Sequence, residues 1–247
     1  MTPPIKTLSA ASMAVRTAIV LFVFVVVFTG LLAAAYRATA PAIEAAAAAE
    51  KMKLIGEVLP RELYDNELLN EQRLLPASTG LGLDEPSLAY LARKGGSASA
   101  LIFEAVAPDG YSGRIRLLLA VAADGTLLGV RVTQHKETPG LGDYIDPRKD
   151  RNKLRPWISQ FDGLSLASVP EREWAVRKDH GRFDSLAGAT VSPRAVIKAV
   201  HQALQFVAEN RQQLFANPDV PALPAVSTPP AASALPTTPA ASPGESK

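Results

Sequence analysis

The chain has 247 residues, with 26 basic and 24 acidic side chains and a formal net charge of +2. It holds no Cys and three His, so no disulfide scaffold, Cys-ligated zinc or Fe–S centre can form. A binder held to nucleic acid mainly by charge is excluded by the small basic excess.

Residues 1–16 carry Lys6 and Arg16 and read as a short cytoplasmic N-terminus. The stretch 17–36, TAIVLFVFVVVFTGLLAAAY, contains no charge. About 20 helical residues at ~1.5 Å each span a ~30 Å hydrocarbon core. Val, Ile, Leu and Phe occur all round this helix, which argues against a one-sided buried helix. Ala33-Ala34-Ala35 has the small residues of a signal-peptide cleavage site, but the apolar run exceeds the usual h-region of about 7–15 residues. The reading is an uncleaved transmembrane helix. The charge bias across it is weak: Arg37, Lys51 and Lys53 follow, and acidic residues count little. A short N-terminus ahead of a first span stays inside by default, which puts the bulk of the chain outside the cytoplasm.

Residues 37–99 are expected to be a helical and linker lead-in, with 42–59 continuing the membrane helix beyond Pro41. From Leu101 to Gln134 the pattern turns to strands: LIFEAVA, RIRLLLAVA and TLLGVRVTQ, separated by Asp109-Gly110 and Asp124-Gly125. Asp-Gly favours hairpins because Gly accepts positive φ. Ile115, Leu117, Leu119 and Val121 share one face, with Arg114 and Arg116 opposite; Leu118 and Ala120 blur the alternation. An antiparallel meander follows. Residues 139–183 are rich in loops. Residues 194–215 carry an apolar stripe (Ile197, Val200, Leu204, Val207, Leu214) and read as a helix, with Ser192 as N-cap, Pro193 in first place and Asn217-Pro218 as stop. The fold class is α+β, with one domain over 100–216. Residues 217–247, dominated by Pro, Ala, Ser and Thr, read as a disordered tail, with a polyproline ligand as the alternative.

Two segments carry possible chemistry. In Asp184-Ser185-Leu186-Ala187-Gly188-Ala189-Thr190, small residues make a narrow turn and Thr190 sits just before a helix. Unpaired N–H groups and the helix dipole there favour a phosphate, and the hydroxyl could bond one or be esterified by one. From spacing alone, the ordinary account is a helix start with a small-residue turn. In HKETPGLGD, residues 135–143, Pro and Gly give a tight loop that could cradle a flat ligand or be a plain turn. No Walker A loop, H-E-x-x-H or G-x-S-x-G element is present.

Together with the N-terminal anchor and Gly110-Tyr111-Ser112-Gly113, these motifs resemble the G subunit of the Rnf (Rsx) electron-transport complex. They are also similar to the related C subunit of the sodium-pumping NADH:quinone reductase. The resemblance spans roughly residues 10–215. It implies an FMN-binding domain whose FMN is joined through its phosphate to Thr190, within the pattern Asp184…Gly188-Ala189-Thr190. Ala187 stands where that family carries Ser or Thr, one hydroxyl fewer beside the flavin. The resemblance further places Thr138, Leu141 and Gly142 along the flavin ring, Glu137 nearby and Tyr111 packed against it.

A free threonine hydroxyl is a poor nucleophile, and the resemblance implies a separate metal-dependent flavin transferase using FAD. It also implies the other subunits of an ion-translocating complex linking ferredoxin and NAD, in the bacterial inner membrane with the domain periplasmic. No metal site is expected on the chain itself, which would carry electrons without completing a reaction. The competing readings are the quinone-reductase subunit and a non-redox, membrane-anchored flavin sensor. His135, His180, Trp157 and Trp174 read as packing or surface groups first, and the basic run Arg148, Lys149, Arg151, Lys153 and Arg155 as a solvated loop or a docking patch.

Overall fold

The computed structural model describes residues 10–216. The expected stop at Asn217-Pro218 and the Pro/Ala-rich tail lie outside the described residues. One long helix, α1 (Ala10–Val58), leads into a five-stranded sheet. α1 is 49 residues, about 74 Å at ~1.5 Å per residue. Its most apolar window has a mean hydropathy of 2.9 and is uncovered by the rest of the chain. It is long and apolar enough to cross a membrane. Pro41 lies inside it; the ring removes one N–H, yet the helix runs on.

The strands are β1 (Gln72–Leu75), β2 (Ser87–Lys94), β3 (Ser97–Ala107), β4 (Ile115–Ala122) and β5 (Leu127–Gln134). They pair antiparallel in chain order, as a meander. The three strands expected from sequence are β3, β4 and β5. The expected lead-in over 37–99 is corrected: it contains β1, β2 and the start of β3, so the sheet begins near residue 72.

Both faces of the sheet are buried, which explains the blurred alternation in β4. Ile115, Leu117, Leu119 and Val121 face a large core with Phe103, Phe161, Phe183 and the apolar side of the C-terminal helix. Leu118 and Ala120 face a smaller core with Ile102, Tyr90 and the end of α1: Ile55, Val58 and Leu59. At Gly129 a Cβ would come within 2.8 Å of the Val58 carbonyl, so α1 reaches β5 only because that position has no side chain.

The C-terminal helix, α2 (Val191–Glu209), starts earlier and ends sooner than expected; Asn210 separates it from α3 (Arg211–Leu214). Thr190, not Ser192, is the N-cap residue. Ser192 is buried inside the first turn, and its hydroxyl bonds a carboxylate of another loop in place of the helix. Pro193 falls within that turn, where its missing N–H has no helical partner to lose. Between β5 and α2 the chain makes a series of 3₁₀ turns, at 143–145, 157–161, 171–173 and 177–179.

Candidate functional site

Three loops meet at the N-terminus of α2: the β3–β4 hairpin, the segment after β5, and the turn before α2. Their junction is a pocket of about 130 Å³ lined by Tyr111, Glu137, Thr138, Leu141, Gly142, Gly188, Ala189, Val191 and Ser192. All but Val191 and Ser192 are flavin-site residues expected from the sequence. Thr190 adjoins the pocket between Ala189 and Val191 and is half-buried.

Glu137 holds the loops together. Its carboxylate is 4 % exposed. Oε1 accepts the Ser112 N–H of the hairpin at 3.1 Å, and Oε2 accepts the Ser192 hydroxyl of α2 at 2.5 Å. A buried carboxylate is costly unless its lone pairs are used, and here both oxygens are. The Leu141 and Gly142 N–H groups both donate to the Thr138 carbonyl at 3.1 Å, which closes the loop and leaves the Leu141 side chain outward.

The turn 186–189 is fixed from the other side. The Ala189 N–H donates to the Leu186 carbonyl at 3.1 Å, and Gly188 takes φ +80°, a conformation that a side chain would strain. The Tyr144 hydroxyl donates to the Ala189 carbonyl at 3.0 Å and accepts the Leu186 N–H at 3.2 Å. Burial pushes the Tyr144 phenol above its ordinary pKa and the Asp150 charge adds to this, against the Leu186 hydrogen bond, so it stays a donor at neutral pH. Trp157 Nε1 donates to the Asp184 carbonyl at 2.6 Å and Gln160 accepts the Asp184 N–H at 2.9 Å.

Two residues singled out from sequence lie outside the pocket. Asp184 points away from it, pairing with Arg177 at 2.9 Å on the wall of a separate cavity. Ala187 is exposed at the tip of the turn. The two tryptophans are packed, Trp157 edge-on to Tyr144 and Phe161, Trp174 against Phe183 and stacked on His201. Of the basic run, Arg148 is tied to Asp146, while Lys149, Arg151 and Arg155 line the same separate cavity as Asp184. Burial works against the Asp146 carboxylate, but the Arg148 hydrogen bonds and charge outweigh it and hold its pKa below the usual range.

Sequence reasoning missed Tyr144, Val191 and Arg194, and it misassigned Ser192. Tyr144 reaches the turn from more than forty positions away, with no local signal. Arg194 sits one helical turn after Thr190, a spacing that sequence does show.

The residues fit a flavin phosphate ester. The Thr190 side chain makes no capping bond to the helix N–H groups; its Oγ1 accepts the Arg194 guanidinium at 3.0 Å. A Cβ at Gly188 would meet open space, so a ligand can approach the backbone there. Tyr111, Leu141 and Val191 are exposed apolar groups around the opening, at 70, 53 and 43 %. The pocket is smaller than the ~300 Å³ at which small-molecule sites usually begin.

Residues 110–205 match the FMN-binding domain family and residues 6–58 the RnfG N-terminal region. The G subunit of the ion-translocating oxidoreductase complex of Pseudomonas aeruginosa is 49 % identical over 81 % of this chain and 92 % of its own length. The G subunits of Shewanella baltica and Vibrio cholerae are 41 % and 40 % identical, each over 83 % of this chain and 94 % and 95 % of their own lengths. Among solved structures, the C subunit of the Na(+)-translocating NADH-quinone reductase of Parabacteroides distasonis is 17 % identical, covering 60 % of this chain and 78 % of its own, at a TM-score of 0.37. On the identities and coverages of the three G subunits, the chain belongs to the G-subunit family of ion-translocating oxidoreductase complexes.

Proposed function

We propose that this chain is the electron-carrying G subunit of a membrane-bound, ion-translocating oxidoreductase complex, with FMN attached covalently through its phosphate to Thr190. The observation that supports the reading is the placement of Thr190: it stands between the pocket-lining residues Ala189 and Val191, and its Oγ1 does not cap the helix. When bound, FMN supplies the redox chemistry.

The chain's own residues bind and orient. Tyr111, Leu141 and Val191 would hold the flavin ring by apolar contact and exclude water from that contact. Glu137 and Tyr144 keep the two loops in register, so the ring sits at a fixed place over the domain.

Attachment needs a second enzyme, because no described residue beside Thr190 acts as its base. A metal-dependent flavin transferase with FAD balances the step. The Thr190 Oγ1–P bond forms, the pyrophosphate P–O bond of FAD breaks, AMP leaves, and the hydroxyl proton passes to the transferase. The apolar stretch of α1 anchors the chain as a single span with the domain on the periplasmic side. There a tethered cofactor cannot be lost to the medium. The other subunits of the complex are its partners.

Protein taken from native membranes tests this. A denatured gel band fluoresces under ultraviolet light, and peptide mass spectrometry places FMN minus water on Thr190. Thr190→Val loses the fluorescence completely. A colourless wild-type chain, unmodified at Thr190, overturns the reading.

A further inference from the structure

We infer that Arg194 is the residue that holds the flavin phosphodiester on Thr190, with Asp179 fixing the plane of its guanidinium; this rests on the covalent reading above. Arg194 lies four residues after Thr190 on α2, so the two side chains share one face of the helix. Its Nη1 donates to Thr190 Oγ1 at 3.0 Å. Its Nε and Nη2 donate to the two carboxylate oxygens of Asp179, at 2.6 and 2.8 Å. Asp179 ends the 3₁₀ turn Arg177–Asp179, which the chain brings alongside α2.

Folding does not explain this arrangement. Both side chains are about two-fifths exposed, and exposed ion pairs contribute little to stability. The clamp does something else: it removes the rotational freedom of a long side chain and aims its third nitrogen at the Thr190 oxygen. A planar guanidinium presents five N–H donors, and three are in use here. The remaining two match the non-bridging oxygens of a phosphodiester, for which arginine has the right fork.

The charge agrees. Residues 177–194 hold four basic side chains (Arg177, Lys178, Arg182, Arg194) against two acidic ones (Asp179, Asp184), an excess of +2. A phosphodiester brings one negative charge to the Thr190 end of that segment. Thr190 also departs from the usual habit of an N-cap threonine, since its oxygen serves the guanidinium and not the helix N–H groups. With the phosphate held at Arg194, the ribityl chain starts from a fixed point, and the ring meets the pocket instead of swinging about a single ester bond.

The test uses the full chain in detergent, produced together with a flavin transferase. Wild type, Arg194→Gln, Arg194→Lys, Thr190→Val and a charge-matched control, Arg114→Gln, are compared. Arg114 belongs to an exposed pair with Asp84, in a different cavity from the flavin pocket. Occupancy is read by intact mass, the diester by its ³¹P resonance, and ring mobility by time-resolved flavin anisotropy. In Arg194→Gln the ³¹P resonance moves toward its value in denatured protein, and the ratio of immobile to mobile flavin falls about tenfold, as expected for one lost charge-assisted hydrogen bond. Arg194→Lys lies between, and Arg114→Gln matches wild type.

Loss of attachment in Arg194→Gln that Arg194→Lys restores supports the same contact, made already during transfer. Wild-type resonance and anisotropy in Arg194→Gln overturn it, as does a loss of attachment that lysine does not restore in a folded protein. Failure of the covalent reading looks different: wild type carries no FMN on Thr190, or Thr190→Val still carries it.

Discussion

The two faces of the sheet are buried by different parts of the chain. One face carries the large core, closed by α2 and the 3₁₀ turns, and the pocket around Glu137 opens at its rim. The other carries a small core, closed by the last turns of α1 and the residues just after it. The first is where the site is built. The second is where the domain is joined to the long apolar helix. The same strands serve both, because alternate residues of β2, β3 and β4 point to opposite faces.

Phe103 gives the largest expected break between them. It is fully buried in β3 on the large-core side. Phe103→Ala is expected to cost about 3–5 kcal/mol, the range for removing a buried aromatic. Thermal unfolding of the domain in detergent should show it. Because α2 packs on this core, flavin attachment at Thr190 should fall with stability. A variant that lost the stability but kept full attachment would show that the start of α2 does not depend on the core beneath it.

Gly129→Val breaks the other face. The new side chain would meet the Val58 backbone, which cannot yield as a flexible side chain can. Overpacking of this kind costs about 1–3 kcal/mol. The joint between α1 and β5 loosens, and the ion pair of Glu57 with Arg131, 3.6 Å apart, goes with it. Limited proteolysis should cut faster between residues 59 and 71, while FMN stays attached. Loss of the flavin in Gly129→Val would mean that the faces are coupled through the sheet.

What could be read from the sequence divides along similar lines. β3, β4 and β5 were legible because Asp-Gly turns separate three short runs rich in apolar and β-branched residues. β1 and β2 were not. β2 is SLAYLARK, made largely of good helix formers, and it is a strand because β1 and β3 pair with it on both sides. Gly95-Gly96, both at positive φ, form the two-residue turn that a hairpin needs, but the helical composition before them hid it. At the site, the contiguous residues 137–142 and 188–190 were legible as two motifs. Their meeting was not, since Glu137 joins α2 through Ser192, a residue whose sequence position suggested only a cap. Asp179 and Tyr144 are far from the 186–190 turn in sequence, and only the fold brings Tyr144 to Ala189 and Asp179 to Arg194.

The smallest effect expected is that of Tyr144→Phe, and it isolates the turn from the core. The ring keeps its place beside Trp157, so packing is retained. What is lost is one oxygen that both donates to the Ala189 carbonyl and accepts the Leu186 N–H. Leu186 is half exposed, so water takes up its N–H; Ala189 is nearly buried, and its carbonyl bears most of the loss. The cost is about 1 kcal/mol. The global unfolding temperature falls by only a few degrees, but amide exchange at Leu186 and Ala189, the two N–H groups bonded in this turn, should speed up by about fivefold, the factor that such an energy gives for local opening. Exchange unchanged at those two amides would mean that Gly188 and the Leu186–Ala189 hydrogen bond hold the turn alone. Faster exchange there with no change in β4 would place the determinant of Thr190's position in Tyr144, on the large-core side and independent of the joint between α1 and β5.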